Sequence, residues 1–145
     1  MGSAPWDCFI KYESDLDVAL QNARQRALET GEYSCSCEDA PEHDSFEDAM
    51  ECADADGTCS IIDIDSARTE TLKGGQDDEP GTAYALSTEQ LTKFFGTDKP
   101  SREQIESKSK RGPWFTLLGR GRAIHVTVNQ DGKPSEIYFA GMSFD

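Results

Sequence analysis

The last third of the chain contains the feature that most restricts its fold. In "AIHVTVNQDGKPSEIYFA" the apolar residues Ile124, Val126 and Val128 alternate with polar ones, which is the period of a β-strand. The next letters, "QDGK", predict a tight turn, because Asp-Gly tolerates the positive φ that such a turn requires. A returning strand then places Ile137 and Phe139 inward. This stretch therefore predicts an antiparallel β-hairpin.

Helix starts are also legible in this sequence. A serine at a helix start accepts a hydrogen bond from a backbone amide, and an acid or amide side chain three residues later reaches back to it. This arrangement begins at Ser14, Ser45, Ser87 and Ser101. The predicted helices run from about Asp15 to Thr30, across Phe46 to Ala53, from Ser87 to a stop at Gly96, and roughly from Arg102 to Ser109.

The remaining segments predict further strands and one loop. Strands are expected at Cys8–Glu13, at Cys59–Asp65 and at Trp114–Leu118. Residues 67–82 are polar, acidic and rich in glycine, which is typical of a flexible loop. The sum is a single α+β domain over residues 1–145, with a four- to five-stranded, mostly antiparallel sheet and about four helices.

The charge of the chain is strongly negative and unevenly distributed. The net charge is −14; residues 1–90 hold 22 of the 28 acidic side chains, and residues 91–145 have a small positive excess. An acidic surface repels nucleic acid and anionic membranes and attracts basic proteins or cations. The basic side chains near the C-terminus are expected to balance acids of the same domain: Lys108, Lys110, Arg111, Arg120 and Arg122. The alternative is that the charge serves only solubility.

The stretch "ADADGTCSIIDID" is one candidate for a cation site. Aligned as a calcium loop with Gly57 at the sixth place, it offers the thiol of Cys52 as first ligand and the short Asp63 as last. Calcium requires oxygen ligands and favours a glutamate at the last place, so the fit is poor. In the strand expected here, Asp63 and Asp65 share a face that points away from the core. This face is either an acidic stripe that docks on a partner or an ordinary solvated face of the sheet.

A second metal hypothesis rests on thiols. Four cysteines and one histidine lie within a short stretch: Cys35, Cys37, His43, Cys52 and Cys59. Structural zinc sites usually space paired cysteines by two to four residues, and this spacing does not occur here. We therefore expect no cofactor, with metal binding by this cluster left open. The odd number of cysteines favours reduced thiols over a disulfide framework.

Catalytic motifs are weak. The chain has two histidines, and His125 falls on the outward face of the predicted hairpin strand beside Thr127. No G-x-S-x-G motif occurs, and no glycine pattern suits a phosphate-binding loop. A small enzyme that depends on His125 or on the cysteine cluster remains the alternative to a binding protein.

The location of the protein is inferred from two features. The stretch "MGSAPWDCF" lacks the basic region and apolar run of a secretory signal. No run of about 18 apolar residues is present that would span a membrane. We expect a cytoplasmic protein without a membrane partner.

One segment resembles a known class of proteins. "LSTEQLTKFFGTDKPSREQI", Leu86 to Ile105, is similar to a region of small acidic immunity proteins of bacterial toxin systems, in which a capped helix ends in aromatic residues and is followed by a proline. The matching residues are Ser87, Glu89, Gln90, Phe94, Phe95, Thr97, Pro100 and Gln104. The resemblance implies an inhibitor that blocks a basic, nucleic-acid-acting toxin.

The resemblance and the charge together give the functional hypothesis: a non-enzymatic immunity or antitoxin protein that docks electrostatically on a basic protein partner and does not bind nucleic acid. The oligomeric state is not predicted. The acids expected to be exposed and to contact the partner are Glu47, Asp48, Glu51, Asp54, Asp56, Asp63, Asp65, Asp77, Asp78 and Glu79.

Overall fold

A single five-stranded sheet organises the protein. The computed structural model describes residues 5–30, 60–74, 78–108 and 112–143. The strands are β1 (Pro5–Lys11), β2 (Ser66–Thr71), β3 (Thr82–Ala85), β4 (Ala123–Gln130) and β5 (Lys133–Met142). Their order in the sheet is β1-β5-β4-β3-β2. Pairings β1–β5 and β5–β4 are antiparallel, whereas the shorter β4–β3 and β3–β2 pairings are parallel, so the five-stranded sheet is mixed where the sequence predicts a mostly antiparallel one.

Three α-helices lie within the described residues, where the sequence predicts about four for the whole chain. They are α1 (Leu16–Thr30), α2 (Thr88–Phe95) and α3 (Arg102–Glu106). The helix expected across Phe46 to Ala53 lies outside the described residues. None of the described helices is long and apolar enough to cross a lipid bilayer.

The two best predicted helix starts are confirmed in atomic detail. The Ser87 side chain accepts a hydrogen bond from the Gln90 amide at 3.1 Å, and the Gln90 side chain accepts one from the Ser87 amide at 2.8 Å. Ser101 and Gln104 form the same reciprocal pair. Gly96 ends α2 in the left-handed conformation, with φ of 79°. Local chemistry alone therefore determines where both helices begin.

Two predicted strands are 3₁₀-helical turns instead. Residues Ile61–Asp63 form one turn, because the Ser60 hydroxyl accepts the Ile62 amide at 3.2 Å and starts a helical segment. Ile61 and Ile62 are both at most 2 % exposed, and a strand with one buried face would not bury consecutive residues. Residues Pro113–Leu117 form the second turn, with proline at its first position, where its missing amide is not needed.

The predicted hairpin is confirmed, and both of its faces are buried. Asp131 and Gly132 have φ of 55° and 78°, the left-handed pair that a two-residue turn requires. Ile124, Val126 and Val128 contribute to a core with α2, α3 and Trp114. Ile137 and Phe139 contribute to a second core, on the opposite face, with α1 and Ile61–Ile64.

The flexible loop predicted over residues 67–82 contains ordered elements at both ends. Its first residues form β2, which runs parallel to β3, and Leu72 is only 3 % exposed. Residues 75–77 lie outside the described residues. A polar edge strand such as Ser66–Thr71 lacks the apolar alternation that would reveal it in a sequence.

Gly141 provides a direct test of the packing around β1. Its cross-strand partner is Trp6, and a Cβ added at Gly141 would lie 2.4 Å from the Trp6 ring and 2.9 Å from the Arg122 carbonyl oxygen. We expect Gly141→Ala to lower the free energy of unfolding by about 1–3 kcal/mol, because a close-packed core does not accept an extra methyl group without rearrangement. Urea denaturation measures this change. In a Trp6→Ala background the same substitution should cost less; equal costs would show that the indole is not the obstacle.

Candidate functional site

The negative charge is concentrated in one segment of the sequence. The described residues carry 16 acidic and 12 basic side chains, whereas the rest of the chain carries 12 acidic and two basic ones. Ten of those 12 acids lie in residues 31–59, which contain no lysine or arginine. The acidic excess of the N-terminal part therefore comes mainly from this acidic segment, residues 31–59.

The two ends of the acidic segment are attached to neighbouring elements. The preceding residue, Thr30, ends α1, and the following residue, Ser60, begins the turn Ile61–Asp63. Helix and turn are in contact, and the Arg24 guanidinium donates a hydrogen bond to the Ile62 carbonyl at 3.2 Å. The chain thus leaves for the acidic segment and returns from it on the same face of the sheet.

Most of the predicted partner-binding acids lie outside the described residues. These are Glu47, Asp48, Glu51, Asp54, Asp56 and Asp77. The predicted thiol cluster lies outside them as well: Cys35, Cys37, His43, Cys52 and Cys59. Within the described residues, no group of three His, Cys, Asp or Glu side chains is placed to hold a metal ion.

The other four predicted acids have different environments. Asp65 is exposed, as expected. Glu79 is also exposed, and its carboxylate forms an ion pair with Arg68 at 2.7 Å. Asp63 and Asp78 are only 4 % and 2 % exposed, so the expectation that they present charge to solvent is wrong. Asp63 belongs to the buried turn Ile61–Asp63, and a 3₁₀ turn does not alternate its side chains between two faces as a strand does.

The buried Asp78 forms hydrogen bonds that link residues of one loop. Its two carboxylate oxygens accept backbone amides, from Lys73 at 3.0 Å and from Gly74 at 2.7 Å. Its carbonyl oxygen accepts a hydrogen bond from the Arg122 guanidinium at 2.7 Å. The adjacent Glu79 amide donates to the Tyr84 hydroxyl at 2.8 Å. A carboxylate with two backbone donors is a structural acceptor that fixes the connection between β2 and β3.

His125 is not on an outward face. The side chain is half-buried on the face that α1 covers, and its Nε2 lies 2.6 Å from the Arg68 carbonyl oxygen. Because a carbonyl only accepts, Nε2 carries a proton and donates it to this bond. Burial lowers the pKa of His125 from its ordinary value of 6.5, and the bond to the carbonyl opposes that change. His125 is therefore neutral at pH 7, and Nδ1 is the one ring atom left for proton transfer.

Two of the basic residues expected to balance acids, Lys108 and Arg122, bind backbone carbonyl oxygens. Lys108 donates to the Phe94 carbonyl at the end of α2. Arg122 donates to the carbonyls of Asp78 and Arg120. Lys110 and Arg111 lie outside the described residues. The expected balance of these bases by acids of the same domain therefore stays a prediction for the set as a whole.

A groove between α3 and the β4–β5 hairpin is acidic, although the sequence counts assign this part a positive excess. It has a volume of about 440 Å³. Four of its lining residues are acidic: Glu103, Glu106, Asp131 and Glu136. Arg102, the one basic residue among the described lining residues, contacts Glu106 at 2.6 Å and Glu136 at 2.8 Å. The sequence gives no signal for this groove, because α3 and the hairpin turn are about thirty residues apart.

Comparison of the chain with family models, with curated proteins and with solved structures gave no significant match.

The adjacent acids Asp78 and Glu79 allow a matched test of burial. We expect Asp78→Asn to lower the free energy of unfolding by about 1–3 kcal/mol, because the amide offers one acceptor oxygen where two amides need one each. Glu79→Gln removes only an exposed ion pair and should cost about 0–1 kcal/mol. Urea denaturation compares the two. Equal costs would contradict the structural role of Asp78.

The environment of His125 predicts a dependence of stability on pH. The pKa of His125 is lower in the folded protein than the 6.5 of an unfolded chain, so below pH 6.5 the unfolded state binds more protons. The stability that His125 supports is complete above pH 7 and is lost as the pH falls through 6.5. We expect His125→Gln to reduce the loss of unfolding free energy between pH 7.5 and pH 5. The same measurement on His43→Gln determines the contribution of the other histidine. If His125→Gln leaves the dependence of unfolding free energy on pH unchanged, the loss does not come from His125.

Proposed function

We propose that this chain is a non-enzymatic immunity or antitoxin protein that blocks a basic, nucleic-acid-acting toxin. The single observation that carries the proposal is the acidic segment: ten acids without one basic residue, inserted between two elements that contact each other. The likeness of Leu86–Ile105 to immunity proteins agrees with it. A toxin that acts on nucleic acid needs a positively charged cleft, and such a cleft attracts this segment.

The described surface favours recognition by charge over recognition by apolar contact. Among the described residues, Val18 is the one large hydrophobic side chain that is exposed, at 44 %. The groove beside α3 adds four acids on a concave surface. Exposed charge increases the rate of encounter with an oppositely charged protein and contributes less to the lifetime of the complex. The proposed complex therefore forms quickly and weakens as salt screens its charges.

A co-expression experiment tests the proposal. The product of the reading frame adjacent to the gene of this protein is expressed in a bacterial host with and without the wild-type chain. We expect the neighbour to arrest growth alone and the wild-type chain to restore it. Calorimetry on the purified pair should show an affinity that falls about tenfold or more between low and high salt. A neighbour without toxicity, or toxicity that the wild-type chain does not relieve, would contradict the proposal.

A charge-matched pair of variants locates the interaction. In the first, five acids of the acidic segment become amides: Glu47, Asp48, Glu51, Asp54 and Asp56. In the control, five exposed acids elsewhere become amides: Asp17, Glu29, Glu70, Glu89 and Asp98. Both variants change the net charge equally. We expect the first to lose protection and the control to keep it; equal losses would assign the effect to total charge and not to the segment.

A further inference from the structure

Strand β1 lies at one edge of the sheet and has a defined outward side. Among the described strands, its one pairing partner is β5. The Tyr12 amide donates to the Ser135 carbonyl at 3.2 Å, which continues the β1–β5 register and marks Tyr12 as a hydrogen-bonded position. In an antiparallel pair such positions alternate. The backbone groups of Phe9 and Lys11 therefore point away from β5.

This outward side offers a template for another strand. Within the described part of the chain, the outward amides and carbonyls of Phe9 and Lys11 have no backbone partner. The side chains of Cys8, Phe9 and Ile10 are half-buried, so both faces of the strand are partly apolar. Natural proteins usually protect such an edge with charge, a bulge or a covering element, or use it for pairing.

We propose that two copies of this chain pair through β1, antiparallel about a two-fold axis at Phe9, to form one continuous ten-stranded sheet. In this register Phe9 lies opposite Phe9 of the second copy. Asp7 lies opposite Lys11, and Lys11 lies opposite Asp7. Cys8 lies opposite Ile10. All residues whose backbone groups point outward then face one another, as a hydrogen-bonded ladder requires.

Charge selects this register over its neighbours. Each dimer gains two Asp7–Lys11 pairs directly across the ladder, where opposite charges stabilise. A shift of two residues in one direction places Asp7 opposite Phe9 and leaves the lysine without this partner. A shift in the other direction places Asp7 opposite Glu13, where like charges repel. Asp7 already accepts the Tyr138 hydroxyl at 2.9 Å, and an ionised carboxylate accepts several donors at once.

A cavity beside β1 supports the same arrangement. It has a volume of about 200 Å³ and touches four consecutive residues of β1, Trp6 to Phe9. Its other described lining residues are Ala23, Arg26, Ala27, Ser60 and Ile61. The face of β1 that carries Cys8 is the face that α1 covers. Ile10 of the second copy lies opposite Cys8 on this face, beside the apolar part of the lining formed by Ala23, Ala27 and Ile61.

Sedimentation measures the dimer and a charge reversal tests its register. The contact is small, so we expect a reversible dimer that forms over a series of roughly 1 to 500 µM. Lys11→Glu places a glutamate opposite Asp7 twice and should weaken the dimer about tenfold or more. Lys133→Glu makes the same change of charge on an exposed residue of the hairpin and should leave the dimer unchanged. A wild-type chain that stays monomeric throughout, or a dimer that Lys11→Glu does not weaken, overturns the proposal.

Cross-linking tests the register independently. Ile10→Cys places a thiol opposite Cys8 at a non-hydrogen-bonded pair, where the Cα atoms lie about 4.5 Å apart, within the range of a disulfide. Oxidised glutathione should then link Cys8 of one copy to residue 10 of the other, as peptide mass spectrometry identifies. Thr69→Cys on the opposite edge of the sheet is the control and should give no such link. A dimer without the link overturns the register. If the wild-type chain is monomeric and Lys11→Glu abolishes protection against the toxin, the edge of β1 binds the toxin. That result would overturn pairing with a second copy.

Discussion

The fold depends on the β4–β5 hairpin being buried on both faces. Its two-residue turn fixes the register, and every second side chain then enters one of two cores. Val126 and Tyr138 face the core under α2 and Trp114, while Phe139 faces the core under α1. The rest of the chain must supply a layer for each face. It does so with α1 and the turn Ile61–Asp63 on one side, and with α2, α3 and the turn Pro113–Leu117 on the other.

The features that the sequence predicts correctly are those that depend on neighbours a few residues away. The hairpin turn requires left-handed backbone at two positions, and Asp131–Gly132 accepts it. The starts of α2 and α3 require a hydroxyl and an amide three residues apart, and both serines have that partner. These contacts form between residues at most three positions apart, so the residue types predict them whatever the surrounding fold.

Elements whose conformation depends on residues distant in the sequence are predicted wrongly or missed. The residues around Trp114 are mostly apolar and do not alternate with polar ones, so their sequence fits a buried strand and a buried turn equally well. In the structure they form a turn, and the Trp114 ring packs against Phe95 and Tyr138. Strand β2 has no apolar face and is held by parallel pairing with β3. Parallel neighbours are joined by long connections, so their order cannot be read from adjacent turns. The prediction that His125 faces outward requires one solvated face of its strand, and α1 covers that face.

The candidate site shows how far charge alone informs function. Composition predicts the sign of a partner, yet it treats Asp78 and Glu79 alike, and the fold buries one and exposes the other. A carboxylate is therefore available to a partner only where no backbone amide or neighbouring arginine already binds it. By that criterion the acidic segment matters because no lysine or arginine lies within it to pair with its ten acids. Attraction by such a segment needs no register and declines with salt. The proposed pairing at the edge of β1 differs from this attraction, because it depends on the alignment of individual residues. There the two Asp7–Lys11 ion pairs contribute mainly by disfavouring other registers.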